Sequence, residues 1–456
     1  MDRRSLIQLR RRIPGLACAA LVLFACTADP PATVVDPIAS TTSTVPPTST
    51  TDPPTTTLAP VTLGKGFSVE PCGNGLPALG CITLGTITDE TGSAQFRAPG
   101  YFAGAQAFWA SRNSSNGIAD AFSVEVLRAD KRDAAGDPQA FANALASIEP
   151  NVAALSHVVG VAAIEANMSA LVNGALVSAP VESWSGWAFV ETDVGVVLES
   201  GASWCVNGYN AVKSSTGSIG LVSDQTLAAR DFSEGARAAA AALNGLAFDV
   251  SVTPIAQGGE PSQQSIVAQI LSTSPELVVL ATGPSEAGAI IGGSVLAGYG
   301  GTFTLQESSF TSALVDASSG VRSVFLSDQV RVIGSLAPWD FESPGHERMR
   351  FAADAIGVPA SARRAFQVGW VSQYPLLAAI DAAVRAQNLD RRGIVSAAAS
   401  LDHVDYEGML PDDSPALSSI SFRIDADAPD LFVSEESFFS SEGLPNYFTA
   451  PCSDLS

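Results

Sequence analysis

The sequence predicts an α/β protein of two similar lobes, each a parallel sheet flanked by helices. Three observations predict it. Short apolar runs suited to buried strands alternate with helical segments, polar turns follow several of those runs, and the whole rhythm occurs twice in series. Strand–helix alternation at this pitch requires parallel strands joined by crossover helices. Ligands of open parallel sheets lie beyond the carboxyl ends of the strands, near helix N-termini, so two facing lobes would border a cleft.

In the first half, Ile82–Ile87 reads as a strand ending in the polar turn Thr88-Asp89-Glu90-Thr91-Gly92. Residues 94–111 place Phe102, Ala105 and Trp109 at helical spacing. Phe122–Leu127 alternates as a strand does. Asp137-Pro138 supplies an N-cap and a proline at the first helical position of a helix running to Ile148. Val152–Leu155 is the third strand, 162–172 a helix, and Ala175–Ser178 a fourth strand closed by Pro180.

The second half repeats the pattern. Ser218–Val222 is a strand that leads into Ser223-Asp224. Asp231–Asn244 is a helix whose inner stripe is Phe232, Ala236, Ala239, Leu243 and Leu246, with Gly245 as its stop. Phe248–Thr253, Leu277–Ala281 and Thr302–Leu305 read as strands, Ser262–Leu271 and Ser285–Ala297 as helices, the last stopped by Gly298. A further strand is expected at Ser323–Leu326, and a long helix at Ala365–Ala386 kinked or broken by Pro375. These late elements are expected to cross back between the lobes and form a hinge.

The N-terminus carries five arginines up to Arg12, an apolar run from Ile13 to Ala25, and then Cys26. The run is shorter than the roughly 20 residues a membrane span needs. It resembles a bacterial lipoprotein signal, in which the cysteine takes a diacylglyceryl group. An ordinary signal peptide with Cys26 as a stray thiol is the alternative. From Thr27 to Thr62 the chain is rich in Thr, Pro and Ser and lacks the apolar residues to offset ordering entropy, so a disordered tether is expected, with order beginning near Gly80.

The chain has 456 residues and a formal net charge of −22. Cleavage before Cys26 removes five arginines and one aspartate, taking that to −26. Such a surface repels nucleic acid and anionic lipid, which excludes a nucleic-acid partner and leaves the lipid as the membrane contact. Cys72, Cys81, Cys205 and Cys452 remain after Cys18 and Cys26 are set aside, an even number for an exported chain. Three pairings are open; a short loop between Cys72 and Cys81, with Cys205 pinning the tail through Cys452, is favoured over two free buried thiols. There is no CxxC, G-x-S-x-G, H-E-x-x-H or Walker A sequence, so neither a metal, a cofactor nor an enzyme activity is indicated.

With these elements in order, the chain resembles the type I periplasmic binding proteins, specifically the branched-chain amino-acid (leucine-binding-like) group. Ile82–Ile87 with Thr91-Gly92, Asn116-Gly117-Ile118 followed by a strand and Asp130, Asp133 and Asp137-Pro138, Leu277–Ala281 with Pro284-Ser285-Glu286, and Gln367–Ala386 with Tyr374 and Asp381 carry the resemblance over roughly Gly80 to Leu410. It implies two Rossmann-like lobes joined by a multi-strand hinge. The divisions are a signal peptide at 1–25, a tether at 26–63, a first lobe from 80–190 and 338–410, and a second from 191–337 and 411–456. It also implies a lipid-anchored monomer on the outer face of the cell membrane that passes a small molecule to an ABC permease.

The ligand contacts the resemblance implies are Ser156, Ser178, Asp224, Thr282 and Glu286. Ser178 would serve a carboxylate and Glu286 an ammonium; each also has a structural reading, as a strand-end hydrogen bonder or a helix-end acid. His157 reads as structural. Trp184, Trp187, Trp204 and Tyr209 would stack on a ligand or pack the hinge, packing being favoured. The family's loop after the third strand is here Ser156-His157-Val158-Val159-Gly160, and its aromatic turn is Ser223-Asp224-Gln225-Thr226 without tyrosine. The ligand therefore need not be a branched-chain amino acid. An envelope sensor or scaffold of the same fold is the competing reading, and an exported hydrolase a weaker one.

Overall fold

A computed structural model describes residues 62–452 apart from 74–78, 93–94, 96, 133–136, 188–195, 214, 216, 253–262, 411–417, 425–431 and 440–451. The signal peptide, Cys26 and nearly all of the tether lie outside the described residues, as does Asp133.

The first sheet contains β1 (Phe67–Ser68), β2 (Gly80–Thr88), β3 (Phe122–Asp130), β4 (Ala154–Val158) and β5 (Ser178–Pro180). β3, β2, β4 and β5 run parallel in that order, and β1 pairs antiparallel with Cys81 and Ile82 of β2. Its helices are α1 (Ala98–Ser114), α2 (Pro138–Ile148), α3 (Val161–Ala166) and α4 (Met168–Asn173). Asp137 caps α2 by accepting from the Gln139 N–H, with Pro138 at the first position.

The second sheet has seven strands: β6 (Ile219–Ser223), β7 (Leu246–Ser251), β8 (Leu277–Ala281), β9 (Thr302–Gln306), β10 (Val330–Gly334), β11 (Ser418–Ile424) and β12 (Phe432–Phe439). Their order is β12-β11-β10-β9-β8-β6-β7; the last five are parallel, and β11 and β12 are antiparallel additions. Its helices are α5 (Trp204–Lys213), α6 (Leu227–Ala242), α7 (Gln264–Thr273), α8 (Pro284–Leu296) and the short α9 (Arg322–Phe325). After β10 the chain returns to the first lobe as α10 (Pro344–Ile356), α11 (Arg363–Val371), α12 (Gln373–Arg385) and α13 (Arg391–Ala398). These pack into one core with Ile82, Leu84, Phe108 and Trp109, and a separate core holds Val222, Leu280, Ile290, Phe303 and Val332. The architecture is thus two parallel α/β lobes in one body.

Close helix packing fixes the walls of the space between them. A side chain at Gly104 of α1 would collide with the Phe366 carbonyl, and one at Gly369 of α11 with the Tyr101 carbonyl. The two helices therefore meet backbone to backbone, which brings Arg97 and Tyr101 at the head of α1 beside Arg363–Gln367.

Several expectations are corrected. Order begins before Gly80: Gly64 donates to the Leu389 carbonyl at 2.7 Å, and Phe67 is buried against Phe122. Arg322–Phe325 is helical, as α9, with Leu326 as its C-cap, and the strand follows at Val330, where Val-Arg-Val-Ile is β-branched at three of four positions. The 162–172 helix is two helices meeting at Asn167. The long late helix breaks at Ser372, just before Pro375, whose ring disfavours the carbonyl four residues back. α6 starts a turn earlier than expected, at the Thr226 cap, and Asn244 rather than Gly245 takes the left-handed backbone after it. Leu243 and Leu246 are exposed, since the helix ends before its stripe reaches them. The disulfides, by contrast, are the pairs favoured from sequence: Cys72–Cys81, which ties the leading segment to β2, and Cys205–Cys452, which ties Cys452 to α5.

Candidate functional site

The carboxyl ends of the strands of both sheets lead into a cleft containing two cavities of about 290 and about 300 Å³. They share Arg97, Tyr101, Glu307 and Val368. Arg97 and Tyr101 come from the head of α1, Val368 from α11, and Glu307 from the turn after β9. The wall between the cavities is therefore made by both lobes.

That wall is held by charge. The Arg97 guanidinium donates to the carbonyls of Ser308 and Phe310, each at 2.9 Å, and more distantly to that of Glu307. Arg364 grips the Glu307 carboxylate through two bonds of 2.6 and 2.8 Å, and also donates to the Leu336 and Ala337 carbonyls. Bidentate pairing of this kind fixes geometry as well as adding energy. Burial pushes the Glu307 pKa up, but the adjacent Arg364 and Arg97 outweigh it and hold the group below the usual carboxylate range.

The first cavity adds Phe310, Trp339, Arg363 and Gln367. The Arg363 guanidinium lies over the Trp339 ring, 5.5 Å from its centroid. The second cavity adds Glu182, Trp204, Asn207, Gln306 and several serines. Burial pushes the Glu182 carboxyl up to about 7, against the opposing Gly160 N–H and the charges of Lys131 and Arg97. Behind Tyr101, whose hydroxyl pKa is raised by burial, sits His157 at 6.0 Å between ring centroids. Burial pushes His157 down to about 3, and neither ring nitrogen has a partner, so the ring is neutral.

Of the residues expected from sequence, Ser156 lies within β4, Ser178 opens β5, Asp224 and Thr282 directly follow β6 and β8, and Glu286 lies in α8; none of them lines either cavity. Ser156 donates to Gln373 at 2.9 Å and accepts from the Trp109 indole, tying β4 to α1 and α12. Ser178 is buried and donates to the Val196 carbonyl. Asp224 accepts from the backbone and hydroxyl of Thr226 ahead of α6. Thr282 binds Ser309 through its N–H and the Gly283 carbonyl through its hydroxyl. Glu286 is buried in the first turn of α8, its carboxylate folded back towards Gly283. The fold brings Ser156 and Ser178 together on β4 and β5, and Asp224 beside Thr282 through the Asp224 N–H to Ala281 bond. Of the aromatic cluster, Trp184 and Trp187 pack edge to face, Tyr209 lies in the second lobe's core, and Trp204 alone lines the cleft.

Sequence reasoning missed Arg97, Tyr101, Glu307, Trp339, Arg363 and Arg364. One signal was available: in a chain with 24 basic and 46 acidic residues, adjacent arginines directly before an apolar helix are conspicuous.

A body of two parallel α/β lobes with a cleft at the strand ends is the type I periplasmic binding protein fold. No protein-family model matches the chain, and no curated protein matches it. Among solved structures, the fatty acid ABC transporter substrate-binding protein from Thermomonospora curvata aligns with a TM-score of 0.67 at 19% identity, over 84% of this chain and 95% of the other. A branched-chain amino acid ABC transporter protein from Thermus thermophilus with bound valine gives 0.63 at 13% identity, over 80% and 97%. A solute-binding protein from R. palustris in complex with 4-hydroxybenzoate gives 0.63 at 11%, over 80% and 98%. At these identities the likeness is one of fold.

Proposed function

We propose that this chain is an extracytoplasmic solute-binding protein that captures a small metabolite between its lobes and delivers it to an ABC permease. The observation that carries the reading is the interlobe cleft, whose dividing wall takes residues from both lobes. A cavity of about 290 Å³ sits near the lower end of the range for small-molecule sites, roughly 300–1,000 Å³. The solved neighbours include a branched-chain amino acid ABC transporter with bound valine and an ABC transporter solute-binding protein in complex with 4-hydroxybenzoate. No helix among the described residues is long and apolar enough to cross a membrane. Attachment to the membrane through a lipid on Cys26, after removal of residues 1–25, is part of the proposal and fits a monomer held beside its permease by a tether.

A thermal-unfolding screen of the mature chain against amino acids, amides and short organic acids tests this. A ligand that binds only the folded state raises the melting temperature in proportion to the logarithm of its concentration. At least one saturable rise is expected, and turnover of a panel compound would instead indicate an enzyme. A uniformly flat panel would favour the sensor or scaffold reading. For the anchor, Cys26→Ser is expected to release the protein into the medium; its retention at the membrane would contradict lipidation.

A further inference from the structure

We infer that the cavity bounded by Tyr101, Phe310 and Trp339 takes a small solute carrying an aromatic ring, held between rings of the two lobes. This inference rests on the solute-capture reading above. The three are among 15 described residues that line the cavity, in a chain that is 7% Phe, Trp and Tyr, so rings are enriched there. Among those described residues there is no leucine, isoleucine or methionine; Val368 and three alanines make up the rest of the apolar lining. Apolar contact in this cavity is therefore made chiefly by rings.

The rings are fixed from behind. Each of the three is half-buried, and each packs against a fully buried ring: Tyr101 against His157 at 6.0 Å between centroids, Phe310 against Phe325 at 6.2 Å, and Trp339 against Phe366 at 6.1 Å. Trp339 packs on the first lobe's core and Phe310 on the second's, so a ring bound between them touches both lobes. Aromatic rings attract one another edge to face or offset, beyond what their buried area contributes. Arg363 lies over the Trp339 ring, which leaves an edge-to-face contact open to it, the geometry it already makes with Phe366. Size agrees with a single ring. An apolar cavity of roughly 150 Å³ holds benzene, so about 290 Å³ accommodates one ring and a short polar substituent. The hydroxyls of Thr311, Ser312 and Ser361 line the same cavity and can meet that substituent.

The test is calorimetry on the mature chain with phenylacetamide and phenylacetate, with their saturated counterparts cyclohexylacetamide and cyclohexylacetate, and with leucine. It is paired with mass spectrometry of any small molecule released when the purified protein is denatured. At least one aromatic probe is expected to bind about fivefold or more tightly than its saturated counterpart and than leucine. Trp339→Leu is expected to abolish that preference and Trp339→Phe to keep most of it. The readout is a ratio of two affinities, which a general loss of stability would leave unchanged. Release of a compound with an aromatic ring supports the inference equally. Saturated probes or leucine binding as tightly as the aromatic ones, a preference that survives Trp339→Leu, or release of a compound without a ring would overturn the aromatic assignment while leaving solute capture intact. No binding by any probe together with no released compound would overturn both.

Discussion

Two cavities of nearly equal size share one wall, yet they differ in charge. The cavity beside Trp339 has three arginines and one glutamate, whereas the cavity beside Trp204 has one arginine, two glutamates and a set of hydroxyl and amide groups. The difference arises from which segments supply each lining. The first draws on the heads of two helices that happen to be basic. The second draws on other segments: Glu182 and Ser183 follow β5, Ser335 follows β10, and Ser200 lies in the loop ahead of α5. Shape alone would make the two spaces equivalent; the charges of their linings tell them apart, and Arg97 and Glu307 stand in the wall they share.

The largest expected effect concerns that wall. Glu307→Gln leaves Arg364 without its charged partner in a partly enclosed site, and a loss of about 3 kcal/mol of stability is expected by urea unfolding. A loss below about 0.5 kcal/mol would mean that solvent screens the pair and that the wall is held by the Arg97 bonds instead.

Next is the pH dependence of the region beside the second cavity. Burial raises three carboxyls there: Glu182 to about 7, Glu199 to about 8 with the nearby Asp231 adding to the effect, and Asp231 to about 6 despite bonds from Ser185 and Cys205. Each folded pKa lies above its unfolded value. Over that interval the folded state binds more protons than the unfolded state, and stability falls as pH rises. The melting temperature is therefore expected to be higher at pH 5.5 than at pH 8, by on the order of 5 °C. Glu182→Gln should flatten part of that slope, and a slope of opposite sign would show these carboxyls to be charged and well solvated.

The smallest expected effect separates the cavities from the serines of β4 and β5. Ser178→Ala removes one buried hydrogen bond and is expected to cost about 1 kcal/mol of stability, with ligand affinity unchanged within about twofold. A tenfold loss of affinity would return Ser178 to the site.

The fold was largely legible because buried parallel strands are continuous apolar runs. Leu277–Ala281 was read to the residue, and Asp137-Pro138 marked its helix unambiguously. Errors fell where local pattern and tertiary context disagree: Ser-Val-Phe-Leu at 323–326 suits a strand or a helical turn, and only packing of Phe325 into the core decides for the helix. The site was less legible. Ser156 and Ser178 lie on β4 and β5, but the helices α1 and α12 and the segment at Val196 engage their hydroxyls. Arg97 and Arg364 are far apart in sequence and come together where Gly104 and Gly369 let two helices touch, and Glu307 reaches them from the turn after β9. No local spacing encodes such a meeting.

The central claim, that a small solute is held between the lobes, is tested most directly by a crystal of the mature chain grown with 4-bromophenylacetate and measured at the bromine absorption edge. The account predicts one dominant anomalous peak inside the cleft, between Tyr101 and Trp339. A dominant peak on the outer face of either lobe would contradict it.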